Sequence, residues 1–534
     1  MNEVWDQGAA MARNEYNVVN LDALIPRADL LGNHPPVILD DRTVRIGDLE
    51  PCTTYDQLRK PDFQRETANW RPDQILSLVQ TFADQDIIPS LVLWQNGAHI
   101  FVIDGAHRLS ALIAWVRDDY GAGPISRKLF KDGIPPQQLA MHLETQRLIK
   151  GGPGTWADFS ANLPLIRMKG LDVQWIKDKT PQQAGEAFIR INQAGTQIDH
   201  LEVRIIRSPR SALSVATRAI GRGGAGHEYW RHFASEEVKA KVPELGSEIY
   251  KLLFEPALKS PIKTLELPLA GAAYGMGVAR LAFDLIALSA GLKIPDSTSR
   301  SVTARDRLPA DDTGQDTVRY LKRARAEVGR ILSTDPSSFG LHPALYFYAG
   351  GAFQPAALLN MIAWFRALEK RNALPQFRKV RGRFEALIMA HPVIMKPPTH
   401  LLGTGGRTRT KMLKLFDDVL MAVSQSDDLD AVWQSLGAKY ARLVGDENEA
   451  AELEDKGAPG GKFKSATKSA ITLGDLSSAE KCPLCDGLMH PNGKVLDHPV
   501  KKADRGWSGV KDGRYVHPVC NSERDNDEQQ IAFL

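Results

Sequence analysis

The chain reads as an α+β multidomain protein, and three observations point there. In the first two hundred or so residues, short apolar runs and turn residues lead into a helical pattern, two short strands and a further helix. From 211 to 445 the pattern turns to long amphipathic helical stretches broken by Gly and Pro, with few β-like alternations. At the end, three of the chain's four cysteines gather between Cys482 and Cys520 in metal-ligand spacing. The expected division is a mixed α/β domain at 15–210, a helical domain at 211–445, a linker at 446–475 and a small metal-clipped module at 476–534.

The first domain begins with Asn20 to Leu58, a mixture of short apolar runs and turn residues. Asp62-Phe63-Gln64-Arg65 follows, then Trp70-Arg-Pro-Asp, after which Ile75, Leu78, Val79 and Phe82 fall at helical spacing with Pro72 where a first turn tolerates it. Leu91–Trp94 and His99–Ile103 read as two strands joined around Asn96-Gly97, a hairpin signal. The second strand runs into Asp104-Gly105-Ala106-His107-Arg108, and Leu109, Leu112, Ile113 and Val116 then mark a helix. A strand, an Asp-Gly turn and a helix with a leading Arg form the layout of an anion site. Backbone N–H groups and the Arg108 guanidinium converge there, His107 adds a donor, and Asp104 can hold a divalent ion or a ribose hydroxyl. The plainer alternative is that Asp104 caps the helix and Arg108 is a surface charge.

The helical region contains the patterns Val318 to Leu332 and Pro355 to Arg371. Its basic residues cluster at Arg319, Lys322, Arg323 and Arg325, at Arg378, Lys379, Arg381 and Arg383, and at Arg407, Arg409 and Lys411. Such runs read first as solvated helix faces, and otherwise as phosphate contacts to DNA. Gly457, Pro459, Gly460 and Gly461 precede Lys462 to Lys468 in the expected linker.

In the last segment, Cys482-Pro-Leu-Cys485 and His517-Pro-Val-Cys520 form two clips about thirty residues apart, a Cys3His set suited to one structural zinc ion. Between them Val495-Leu496 delivers Asp497 and His498 at a strand tip. A loop with Gly506 and Gly509 leads to Tyr515-Val516 and then to a helix carrying Asn521. A carboxylate and an amide oxygen are hard ligands for Mg²⁺ or Mn²⁺, and a neutral imidazole beside them can take a proton from water. A zinc knuckle that only binds nucleic acid is the plainer alternative.

Composition sets the remaining bounds. The length of 534 residues allows several domains, and 43% hydrophobic with 25% charged content describes an ordinary globular chain. The net charge of +3 is too small to argue for nucleic acid, so a basic surface must be local. Few cysteines, clipped by metal, imply a reducing, cytoplasmic setting. The N-terminus has no basic and apolar leader, and Leu267 to Leu292 contains Arg280 and Asp284, so no membrane partner is expected.

Two family resemblances rest on these residues. The C-terminal segment resembles an HNH endonuclease, the ββα-metal fold, in the subtype clipped by zinc. The resemblance implies Asp497 and Asn521 as ligands of the catalytic ion and His498 as general base. It puts Asp512 at the family's middle Asn, which orients the histidine, and His517 where the family has Cys. The front of the chain, Phe63-Gln64-Arg65 through Asp104 to Arg108 together with Ala187-Phe188-Ile-Arg-Ile-Asn192-Gln-Ala-Gly195-Thr196, resembles the N-terminal domain of GmrSD-type modification-dependent restriction proteins. That domain is related in fold to ParB and sulfiredoxin. The resemblance implies a nucleoside triphosphate site with Asp104, Gly105, His107, Arg108, Gln64, Arg65 and Asn192, the last in a loop with Gly195 near the pocket. Ala106 replaces a Gln of the family motif, which bears on NTPase activity more than on binding.

The function these readings imply is an anti-phage restriction effector, a metal-dependent nuclease acting on double-stranded phage or modified DNA. Nucleotide binding and DNA sensing would control it, and it would act as a homo-oligomer or with partner defence proteins. The alternative is a nucleotide-responsive DNA-binding regulator whose zinc module does not cleave.

Overall fold

In the computed structural model the described residues are 18–28, 42–51, 53–61, 64, 67, 70–128, 134, 136–177, 179–193, 199–225, 227–273, 276–295, 297, 307–348, 350–395, 406–440, 461–500 and 509–523. They fall in two compact units. One comprises Met1–Lys239 with Tyr274–Met276 and Ser297–Gly314, the other Ala240–Ala273, Gly277–Asp296 and Gln315–Leu534. The helix Ala212–Gly221 thus lies in the first unit, and the cysteine-rich segment shares the second with the helices that precede it. Part of the span expected as a linker is helical, at Ser465–Asp475, and Ser469 Oγ there accepts from Ile262 N at 3.2 Å.

The first unit is built on six strands: β1 (Arg27–Ala28), β2 (Thr43–Arg45), β3 (Leu58–Pro61), β4 (Leu91–Asn96), β5 (His99–Asp104) and β6 (Gly170–Ile176). Their order is β1-β3-β5-β4-β6-β2. The pairs β1·β3, β3·β5 and β4·β6 are parallel, and β4·β5 and β2·β6 antiparallel. The β4–β5 hairpin pairs Asn96 with His99, which places Gly97 (φ 60°) first of two central turn residues. A positive φ at that position alone is the backbone demand of a type II′ turn, and Gly meets it without a Cβ penalty.

The nearly continuous apolar runs of β4 and β5 follow from burial on both faces. Leu91, Leu93, Ile100 and Val102 point to one side. There they meet Ile75, Val79 and Phe82 of the helix Pro72–Ala83 and Leu109, Leu112 and Trp115 of the helix Ala106–Arg117. Trp94, Phe101 and Ile103 point to the other, against Phe188 and Ile189 of the helix Pro181–Gln193 and Val203 and Ile206 of the helix His200–Arg207. The alternation of period two thus sorts one strand's side chains into two cores.

A polar anchor ties the start of the chain to β3. Lys60 is fully buried, and its Nζ donates to Asp22 Oδ1 (2.7 Å), to the Asp22 carbonyl (2.8 Å) and to Thr67 Oγ1 (2.6 Å). Arg27 joins through Asp22 Oδ1 at 2.7 Å and donates to the carbonyls of Pro61 (3.3 Å) and Gln64, fixing the chain that leaves β3. Burial alone would raise the Asp22 carboxyl, but Arg27, Lys60 and Arg222 outweigh it and hold it well below the ordinary 3.8.

The second unit is helical, with Met276–Ala290, Gln315–Ile331, Pro355–Lys370, Leu374–Ala390, Gly406–Gln425 and Leu429–Lys439 among its helices. Trp364 centres an aromatic core, stacked on Phe384 (5.2 Å, 11°) with Phe377 and Phe416 edge-on, and its indole N–H reaches Asp417 Oδ1 at 2.6 Å. The unit also holds a two-stranded antiparallel sheet of β7 (Val495–Asp497) and β8 (Arg514–Val516). Among the described residues no helix is long and apolar enough to cross a membrane.

Removing the acid of the Asp22 anchor leaves buried cations uncompensated. Asp22→Asn is expected to cost roughly 3–5 kcal/mol, the range for breaking a buried pair. Because the folded carboxyl lies below its unfolded value, its stabilisation is fully present above pH 3.8 and is lost as pH falls through the folded value. Urea unfolding of wild type and variant between pH 3 and 7 checks this, with the difference largest at the upper end. A variant as stable as wild type at pH 7 contradicts it.

Candidate functional site

In the first unit, parallel pairing of β3 with β5 sends the chain after Pro61 and the chain after Asp104 out of the same sheet edge. Gly105 follows in the left-handed region (φ 91°) and is the N-cap of the Ala106–Arg117 helix, with no side chain capping that end. A Cβ at Gly105 would lie 2.4 Å from Leu91 Cδ2 and 3.0 Å from Arg108 Nη2, so both backbone and packing require Gly. Asp104 is therefore not the helix cap. Its Oδ2 accepts from Arg108 Nη2 at 2.8 Å, and the same nitrogen donates to the Ser90 carbonyl at 3.2 Å.

Among the described residues, Arg108 Nε and Gln64 Oε1 are buried with no hydrogen-bond partner. Such groups carry a desolvation penalty that a polar ligand can relieve. The His107 ring stacks on Trp70 at 5.7 Å and 30°, which brings the far end of the Gln64 segment against the helix start. Arg65 and Gly195 lie outside the described residues. Asn192, expected in a loop, is in the last turn of the helix Pro181–Gln193. The helix continues one residue further because Gln193 is compatible with it and the turn-forming Gly comes later. Sequence reasoning also missed Trp70 as the neighbour of His107; an aromatic ahead of Pro72 was its only signal.

In the second unit the two clips close. Cys482, Cys485, His517 and Cys520 are all buried, and their ligand atoms lie within 4.8 Å of one another. Cys485 Sγ is 3.3 Å from His517 Nδ1. His517 Nε2 faces the Leu488 carbonyl at 3.1 Å, so Nε2 carries the proton and Nδ1 keeps its lone pair for the cluster. Hydrogen bonds from Cys485 and Cys520 hold the Cys482 thiol far down, while those two are pushed up, Cys485 to about 11. Three cysteine sulfurs and one imidazole nitrogen gathered within 4.8 Å are a donor set that, as three thiolates with one neutral imidazole, fits zinc.

The elements between the clips place the other predicted residues. Asp497 ends β7, buried, opposite Arg514 of β8, whose Nε donates to Asp497 Oδ2 at 2.9 Å. His498 follows, half-buried. Residues 518–523 are helical, and the Asn521 N–H donates to the His517 carbonyl at 3.0 Å, so Asn521 sits one residue past a metal ligand on a helix that starts at the clip. Asp512 closes the short turn Val510–Asp512, and its Oδ2 accepts from Gly509 N at 3.1 Å, which commits one of its oxygens to that turn. Sequence reasoning missed Arg514, which precedes the Tyr515-Val516 pair; its bond to Asp497 follows from the register.

The sheet unit and its Asp-Gly turn have a family counterpart. Residues 48–207 match the family model of the GmrSD restriction endonuclease, N-terminal domain. No curated protein and no solved structure matches the chain. The GmrSD match takes in β3 through β6, the Asp104–Arg108 turn and the helix bearing Asn192, so this part of the chain is similar to that N-terminal domain. It does not extend to the cysteine cluster.

Replacing Cys485 or Cys520 with Ser is expected to lose roughly one zinc per chain and to unfold the clipped segment, because small zinc domains draw much of their folding free energy from the metal. Elemental analysis with near-UV circular dichroism checks this. Wild type purified without zinc contradicts it.

Proposed function

We propose that this protein is a restriction effector against phage, with a C-terminal HNH-type nuclease segment governed by an N-terminal GmrSD-type domain that binds a nucleoside triphosphate and senses DNA modification. The observation that carries the nuclease half is the order of elements inside the cysteine clips. A strand ending in Asp497 with His498 next after it, an antiparallel strand and a helix bearing Asn521 are held together by four buried residues of metal-ligand type. A knuckle that only grips nucleic acid has no need of that trio.

In mechanism, His498 accepts the proton of the attacking water, and Asp512 orients its ring. Asp497 and Asn521 present a carboxylate and an amide oxygen to a Mg²⁺ or Mn²⁺ ion. When bound, that ion supplies positive charge for the pentacoordinate transition state and the leaving oxygen. Arg514 fixes the Asp497 carboxylate through its bond to Oδ2, so that the ligand is oriented before the ion arrives. The zinc holds the segment's shape and takes no part in the chemistry.

In the N-terminal domain, the uncapped helix start after Gly105 and the buried Arg108 Nε favour a phosphate, and Gln64 Oε1 favours a donor from the ligand. Gln64, Arg65, Asp104, Gly105, His107, Arg108 and Asn192 form the proposed nucleotide site. Ala106 removes one polar side chain from the family motif, so binding that regulates cleavage is the reading, rather than rapid turnover.

The experiment is plasmid cleavage in Mg²⁺ or Mn²⁺, on modified and unmodified DNA, with ATP, GTP or CTP present or omitted. His498→Ala is expected to lower cleavage about 10²–10⁴-fold, the usual contribution of a general base, while zinc content and DNA binding stay at wild-type levels. Full activity in His498→Ala rules out the HNH assignment. Wild type that binds DNA in response to nucleotide but never cuts favours a regulator with a non-cleaving zinc module.

A further inference from the structure

The run Arg378, Lys379, Arg381 and Arg383 has the composition of a solvated helix face, but Arg381 departs from it. Its side chain is 0% exposed and that of its partner Glu385, one helical turn on, is 1% exposed. A buried charged pair is costly to desolvate, so its other hydrogen bonds show what it serves.

Those bonds all lead to the cysteine cluster. Arg381 Nε donates to Glu385 Oε1 at 2.5 Å, Nη2 to the Gly340 carbonyl at 3.1 Å and Nη1 to the Phe339 carbonyl. The adjoining Ser338 carbonyl accepts from Val519 N at 3.0 Å, and a Cβ on Gly340 would come within 2.9 Å of the His517 ring. The 338–340 stretch that Arg381 grips is thus the bed of the second clip. Glu385 Oε2 accepts from Leu488 N at 2.7 Å, and the carbonyl of that same Leu488 faces His517 Nε2. On the first clip, Gly382 N donates to the Cys485 carbonyl at 3.2 Å. A Cβ on Gly487 would stand 2.4 Å from Arg381 Nε, so the knuckle touches the guanidinium directly. Zinc with three thiolates and a neutral imidazole carries one net negative charge, and the Arg381 cation lies buried beside Cys485 and Cys520.

We propose that Arg381 and Glu385 are the positioning residues of the metal site. Glu385 fixes the His517 tautomer through Leu488, and Arg381 locks both clips to one helix and offsets the charge of the thiolates. The metal segment is then part of the helical unit and does not hang from it as a separable module. The inference rests on the reading of the cluster as a zinc site.

The test is competition of the full chain with a chromophoric chelator, which gives the zinc affinity of wild type, Arg381→Met, Arg381→Lys, Glu385→Gln and, as a control on the same helix, Arg383→Ala. Loss of an outer-shell partner is expected to weaken zinc binding about 10–100-fold in Arg381→Met, with a smaller loss in Glu385→Gln and partial rescue in Arg381→Lys. Arg383→Ala should match wild type. Should Arg381→Met fail to fold, hydrogen exchange of wild type before and after zinc removal decides, with protection of 374–390 and of Val519 expected to fall together. Unchanged affinity in Arg381→Met, or a 374–390 helix equally protected without zinc, overturns the inference while the zinc site stands. Wild type that holds no zinc overturns both.

Discussion

Cys485 Sγ and His517 Nδ1 meet at 3.3 Å although 32 residues separate them in the chain, and the C-terminal part of the molecule depends on that closure. The two strands between them are three residues each, and their cross-strand pair Leu496 and Tyr515 is 62% and 45% exposed. A hairpin so short, with an apolar pair left to solvent, is marginal by itself. What fixes its register, and so the placing of Asp497 opposite Arg514, is that both ends are tied to one metal-ligand cluster. The cluster in turn is seated on the helix Leu374–Ala390 through Arg381 and Glu385.

A different constraint organises the sheet unit. β3 and β5 are parallel, so the segments after them leave from the same end of the sheet, and because they are neighbours those segments start side by side; the antiparallel β4 supplies β5 with its other partner through a two-residue turn. The helix Ala106–Arg117 then starts at that edge with an uncapped end, and the buried Asp22 anchor holds the chain after β3 beside it. The proposed nucleotide site is therefore a product of topology: residues about forty apart in sequence are gathered because two parallel strands end together.

Much of this was legible in the sequence, for physical reasons. The hairpin around Gly97, the helix after Pro72 and the apolar strands β4 and β5 depend on local propensity and periodicity, which sequence records directly. That Cys482, Cys485, His517 and Cys520 gather in one buried cluster was legible because metal-ligand spacing is chemically restrictive. Long-range pairing was not. Arg381 looks like its basic neighbours Lys379 and Arg383, and nothing local distinguishes a guanidinium that faces the bed of the cysteine cluster from one that faces water. Asp22 and Lys60 are likewise ordinary charges until β3 and the preceding turn are brought together. Asn192 was misplaced because a helix end is set by its flanking turn more than by its own residues.

In the proposed function one segment holds two metal ions with separate tasks, and diffraction separates them. Crystals grown with zinc and soaked in Mn²⁺, measured across both absorption edges, should show a zinc peak within Cys482, Cys485, His517 and Cys520. A manganese peak should coordinate Asp497 and Asn521 beside His498. Zinc at the cysteines with no manganese at Asp497 and Asn521 would contradict a nuclease and leave a structural knuckle.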